Sequence, residues 1–126
     1  MKKSILTIFL LFLTISSNSI ADIKVGVILG FTGPIESLTP AMAASAELAF
    51  KEASDSGSLL NGRKISVLRA DSTCIDSAAA TTAAEKLVSS GVVAIMGADC
   101  SGVTGAIAIN VAVPNGVTMI SPSATS

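Results

Sequence analysis

The chain has no histidine, no tryptophan and no tyrosine. Without an imidazole, neither Ser101 nor Cys100 has a histidine to take its proton, and catalytic repertoires built on that group are excluded. Ser101 also lacks the flanking pattern of a nucleophile elbow. The first glycines, Gly26, Gly30 and Gly33, do not match the dinucleotide fingerprint, and no Gly-Lys-Ser phosphate loop occurs. The residues therefore point away from an enzyme. Basic residues are also few. Lys2 and Lys3 lie at the extreme N-terminus, and beyond them six basic residues face nine acidic ones, a net charge near −3 without any lysine or arginine cluster. Such a balance gives no electrostatic footprint for nucleic acid.

Long apolar runs are missing as well, except at the start. Lys2 and Lys3 precede an apolar stretch from Ile5 to Ile15, then polar residues 16–19 and a Ser19-Ile20-Ala21 close. A bilayer needs about 20 apolar residues to span its core of about 30 Å. This stretch is shorter, and its order of charge, apolar centre and small residues is that of a cleavable export signal over residues 1–21, cut after Ala21. No cysteine follows the cut, so no lipid anchor is implied. The expected product is a periplasmic protein with no stable membrane insertion. Its 105 residues suffice for one small core. In that oxidising compartment its two cysteines, Cys74 and Cys100, favour a disulfide, the alternative being two small unpaired core residues.

Along residues 22–126, apolar β-branched runs alternate with alanine-rich helical stripes. Residues 23–30 read as a strand buried on both faces. Thr39 and Pro40 read as cap and first turn of a helix with a stripe of Met42, Ala46, Ala49, Phe50 and Ala53, closed by Gly57. After the Asn61-Gly62 turn, residues 64–70 form a second strand ending at Asp71. Asp76 or Ser77 caps a helix whose stripe is Ala80, Ala83, Ala84, Leu87 and Val88, stopped by Gly91. A third strand covers residues 92–97, a helix capped by Ser101 runs to about Val113, and a fourth strand covers residues 117–120. This alternation predicts an α/β fold, a parallel sheet flanked by helices on both faces.

Ligands of open parallel sheets bind beyond the carboxyl ends of the strands. Here those ends are residues 31–38, 71–76, 98–104 and 121–126, which are rich in hydroxyl, glycine or acidic residues. Ser101 could offer its hydroxyl and nearby amides to a carboxylate, although an ordinary helix cap accounts for it equally. Residues 121–126 combine hydroxyls, a carbonyl and an amide suited to an α-amino acid, a composition that a plain loop also shows. Asp71, Asp76 and Asp99 are better read as caps and solvated acids than as a calcium site, so no metal is expected.

Several of these segments together resemble type I periplasmic binding proteins. They are the strand at 23–27, the Thr32-Gly33-Pro34 turn, the Asn61-Gly62 turn, residues 71–76 with Cys74, the Cys100-Ser101 pair and the 120–125 stretch Ile-Ser-Pro-Ser-Ala-Thr. The similarity is greatest to the leucine/isoleucine/valine-binding branch that serves ABC transporters. The resemblance implies a two-lobed clamshell closing on an amino acid, with a membrane permease as partner and no cofactor. Ser101 would bind the ligand's carboxylate, and Ser123 and Thr125, with Ala124 between them, its ammonium and carboxylate. Cys74 and Cys100 would form the family's disulfide. Leu38 stands where the family usually carries an aromatic residue against the ligand, and so becomes a candidate pocket wall. Residues 22–126 correspond to an incomplete first lobe. With the chain stopping at Ser126, the fourth strand is expected to be an open edge, and residues 22–126 alone are expected to be marginally stable and to bind no amino acid usefully. A cooperative melt that shifts with ligand would overturn that expectation. The same fold also serves as the ligand-sensing ectodomain of receptors, the competing function.

Overall fold

A computed structural model describes residues 22–125 apart from residue 59. The export signal read at 1–21 and the terminal Ser126 lie outside the described residues. Four strands, β1 (Ile23–Leu29), β2 (Ile65–Asp71), β3 (Ala94–Gly97) and β4 (Thr118–Ile120), alternate with the helices α1 (Thr39–Asp55), α2 (Ser77–Ser89) and α3 (Ser101–Ile107). The strands form one sheet of order β2-β1-β3-β4, with every pairing parallel. This is the predicted α/β architecture.

β1 is central because it is apolar on both sides. Ile28 faces a core with Ala80, Ala84 and Leu87 of α2, Ile95 of β3, and Val103 and Ile107 of α3. Val27 and Leu29 face the opposite core with Ala43 of α1, flanked by Phe31, Met42, Phe50 and Val67. Strand side chains alternate between faces, so one continuous apolar run serves both layers. Gly26 lies on the α2 side, where an added Cβ would come within 2.8 Å of Leu87 Cδ1. The missing side chain lets α2 approach the sheet.

Helix ends depart from the sequence reading in two places. Thr39 is not the cap of α1, whose N-cap is Leu38 with no side-chain cap bond. The fully buried Thr39 hydroxyl instead donates to the Gly30 carbonyl at 3.1 Å, fastening the helix start to the end of β1. Ser101 likewise is the first helical residue of α3, and Cys100 occupies the N-cap. The single apolar stripe read on α1 also shifts: Ala49 is exposed, while Ala43 and Ser54 are buried. Ser54 faces inward because its hydroxyl accepts the Ile65 amide at 2.8 Å, joining the helix end to β2. The third helical stretch reaches nearly as far as predicted, but a π-helical turn, Ala108–Ala112, follows α3.

Asp76 caps α2 as expected. Its Oδ1 accepts the amides of Ala78 and Ala79 at 2.9 and 3.0 Å. Asp76→Ala is expected to cost about 1 kcal/mol. A chemical-denaturation midpoint lowered with unchanged slope would show it; an unchanged midpoint would mean that the cap contributes nothing.

β2 and β4 are the sheet edges among the described residues. They differ in chemistry. β2 carries Arg69, which pairs with Glu47 of α1 (Nη2 to Oε2, 2.8 Å) and lies 5.5 Å from the centre of the Phe31 ring. From Cys100 to Ser126 there is no charged residue at all, and Ile120 of β4 is 69% exposed. Uncharged apolar edges invite pairing with other strands. No helix among the described residues is long and apolar enough to cross a membrane.

Candidate functional site

The carboxyl ends of all four strands lie on one side of the sheet because every pairing is parallel. That places Gly30, Ser72, Asp99 and Ser121 at the heads of four neighbouring loops. The loop after β4 folds over the loop after β3. Ser121 fixes it: its hydroxyl donates to the Ala98 carbonyl and accepts the amides of Ala124 and Ser123 at 2.8 and 3.3 Å. A serine that caps its own following turn makes a compact bend from a short sequence. Ser123 then donates to the Asp99 carbonyl at 2.7 Å, and the Thr125 amide donates to Ser101 Oγ at 3.2 Å.

Ser101, Ser123, Ala124 and Thr125, separated by more than twenty residues of sequence, thus form one cluster. A hydroxyl that accepts one bond still has its proton to donate, so Ser101 can accept from Thr125 and present O–H to an anion. Ser101 and Ala124 are half-buried and Ser123 and Thr125 are exposed. Together they make a shallow polar surface of hydroxyls and backbone, able to pair with a carboxylate or an ammonium. Leu38, 60% exposed, sits at the head of α1 on the loop that follows β1, at the same end of the sheet. None of the cluster's hydrogen bonds involves it.

Cys74 and Cys100 are joined in a disulfide, with Cα atoms 5.2 Å apart. The bond ties the loop after β2 to the residue that precedes Ser101. Gly30 lies beneath it, where an added Cβ would meet Cys74 Cβ at 3.1 Å.

Of the three acids expected as caps or solvated charges, Asp76 caps α2, while Asp71 and Asp99 bind the loops at this end. Asp71 accepts the Thr32 hydroxyl at 2.7 Å, the Thr73 amide at 2.8 Å and the Thr32 amide at 3.3 Å, linking the loops after β1 and β2. Burial pushes its carboxyl up, but the bonds from Thr32, Thr73 and Phe31 outweigh that and hold it below the ordinary aspartate range. A depressed folded value means that the ionised form is the one the fold favours, so its contribution is complete above the unfolded value of about 3.9 and fades as pH falls through the lower folded value. The Thr32 and Thr73 amide resonances are expected to move together below about pH 4, and Asp71→Asn should abolish that step. A step that survives the substitution would belong to another group. Asp99 is buried. Asp71 ends β2, a position legible in the sequence; what was lacking was the pairing of strands that puts donors around it. Among the described residues no group of three or more acids or cysteines could hold a metal ion.

A concavity of about 600 Å³ lies elsewhere, between β2 and α2, with Leu68, Arg69, Ala70, Ala83, Lys86 and Leu87 among its lining residues. The polar cluster at the strand ends is open rather than enclosed.

A family model described as periplasmic binding protein matches residues 22–126. Comparison with curated proteins gave no match. Among solved structures, the chain is similar to the branched-chain amino acid transporter substrate-binding protein LivJ of Streptococcus pneumoniae, in complex with isoleucine. The identity is 34% and the TM-score 0.75 over 84% of this chain and 30% of that one. It is also similar to a leucine-binding protein LivK of Thermotoga maritima, with 27% identity and a TM-score of 0.70 over 82% of this chain and 28% of that one. A solute-binding protein of an ABC transporter from Rhodopseudomonas palustris, in complex with benzoate, gives 30% identity and a TM-score of 0.68 over 82% and 28%. The chain therefore spans about 30% of the length of these relatives, and its four-stranded parallel sheet with flanking helices matches part of their fold.

Proposed function

Since the chain belongs to the periplasmic binding protein family, we propose that it supplies part of the first lobe of a solute-binding component of an ABC transporter. The ligand would be an amino acid, branched-chain or of related small size, held between two lobes in the periplasm and handed to a membrane permease. The export signal at residues 1–21 would deliver it there. No catalytic step is assigned, in keeping with relatives that are solute-binding proteins.

One observation carries this reading: Ser101 and residues 123–125, nominated from separate stretches of sequence, meet at the carboxyl ends of β3 and β4 through the Thr125 amide and Ser101 hydroxyl. In this reading the Ser101 hydroxyl donates to the ligand's carboxylate. Ser123 and Thr125 bind its ammonium and carboxylate with the backbone at Ala124 between them, and Leu38 forms an apolar wall. Hydrogen bonds to charged groups contribute about 1.5–3 kcal/mol each, so a few such contacts anchor the part common to all amino acids and leave the side chain to other walls.

Calorimetric titration of the protein as its own cells produce it, with the common amino acids and with benzoate, tests the reading. Binding of a small apolar amino acid is expected, and Ser101→Ala and Thr125→Ala should each weaken it by about tenfold or more. A protein that responds to no amino acid, or whose affinity ignores both substitutions, overturns it.

A further inference from the structure

Asp99 is 4% exposed, and the binding role proposed above makes no use of its side chain. The carboxylate turns toward protein backbone. Oδ2 accepts the Gly30 amide at 2.9 Å, while Oδ1 accepts the Cys100 amide at 3.1 Å and the Ser72 hydroxyl at 3.4 Å. The Asp99 carbonyl accepts the Ser123 hydroxyl at 2.7 Å. Gly30 follows β1, Ser72 follows β2, Cys100 opens α3 after β3, and Ser123 follows β4. One residue therefore receives a hydrogen bond from the loop at the end of every strand in the sheet.

A carboxylate is costly to bury unless it is paired or hydrogen-bonded. Here it has three donors, and bonds to an ionised acceptor are stronger and shorter than neutral ones. An apolar residue of similar size would pack in the same space but would leave the Gly30 and Cys100 amides and the Ser72 hydroxyl without this acceptor. An asparagine would turn N–H groups toward at least one of those donors.

We propose that Asp99 is the positioning residue of the ligand half-site: by gathering the four loops it fixes the separation of Ser101 from residues 123–125 and so sets ligand affinity without touching the ligand. Its effect on affinity rests on the function proposed above, whereas its effect on loop geometry does not. Ser101 and Thr125 report on that geometry because the donors to the Asp99 carboxylate are Gly30, Ser72 and Cys100 and not these two.

The test compares Asp99→Asn and Ser72→Ala with the parent protein by amide NMR and by amino-acid titration. In Asp99→Asn the Gly30 amide proton should move upfield as its carboxyl acceptor is lost, the Ser101 and Thr125 amides should move as well, and affinity should fall at least tenfold. Ser72→Ala removes only the longest of the three bonds and keeps the fold should Asp99→Asn lose it. It should move the Ser101 and Thr125 amides in the same direction by less, with a loss of affinity of about two- to threefold. Unmoved Ser101 and Thr125 amides in every variant that folds overturn the proposal, as does undiminished affinity in a protein that binds. A parent protein that binds no amino acid overturns the function alone, and the two amides then decide the positioning role.

Discussion

Replacing both Cys74 and Cys100 by serine is expected to lower the unfolding free energy by about 3.5 kcal/mol on the loop-entropy model for a crosslink of this span. The two cysteines are 26 residues apart, so the oxidised denatured chain is confined to a closed loop that the reduced one escapes. For a domain near 100 residues this corresponds to a fall in Tm of about 15–25 °C. Reductant added to the parent protein should reproduce it. The crosslink joins Cys74, in the loop after β2, to the residue next to Ser101, so the loss also falls on the site: the start of α3 would keep the hydrogen bonds from the Cys100 amide to Asp99 and from the Thr125 amide to Ser101 but lose its covalent tie to the loop after β2. A Tm within a few degrees of the parent would mean that the denatured chain is already restricted between these residues or that the bond strains the fold.

Gly33→Ala should be the most damaging single substitution in the loop after β1. Gly33 has φ of +105°, a region that residues with a side chain seldom occupy, and an added Cβ would fall 2.4 Å from the Thr73 carbonyl oxygen. The Cβ position is fixed by the Gly33 backbone and the atom it meets is itself backbone, so no side-chain rotation relieves the clash. The loops after β1 and β2 would have to separate, breaking the bonds that Thr32 makes to Asp71. A loss of about 2–4 kcal/mol is expected. Gly57→Ala provides the control, because Gly57 also has positive φ, +64°, but nothing lies within 4 Å of an added Cβ. It should cost about 1 kcal/mol, the conformational part alone. Equal losses at the two positions would remove the steric argument.

The alternation of strands and helices was legible because this sheet is buried on both faces and its strands are uninterrupted apolar runs. The ends of elements were less so. Threonine and serine are good caps in isolation, which is why Thr39 and Ser101 were assigned that role; tertiary partners took their hydroxyls instead, the Gly30 carbonyl for Thr39 and the Thr125 amide for Ser101. The π-helical turn at Ala108–Ala112 leaves no local mark, since alanine, isoleucine and valine suit either helical winding. The clustering of Ser101 with residues 123–125 could be anticipated from strand topology and family resemblance. The centrality of Asp99 could not, because nothing local distinguishes an aspartate that caps a helix from one whose carboxylate receives donors from loops 27 and 69 residues away.

The order β2-β1-β3-β4 also governs when the chain can fold. β1 is the first strand to be synthesised and has neighbours on both sides, yet Ile23 pairs with Ile65, 42 residues later, and Val25 with Ala94, 69 residues later. Parallel pairing rules out an early hairpin, and contacts this distant in sequence form slowly. The core around Ile28 needs Ala84, Leu87 and Ile95 before it excludes water. A growing chain thus remains an open thread until most of the sheet exists. On the proposed export route the delay would lie in the strand order itself: the N-terminal end would be committed to translocation while its central strand still has nothing to pair with.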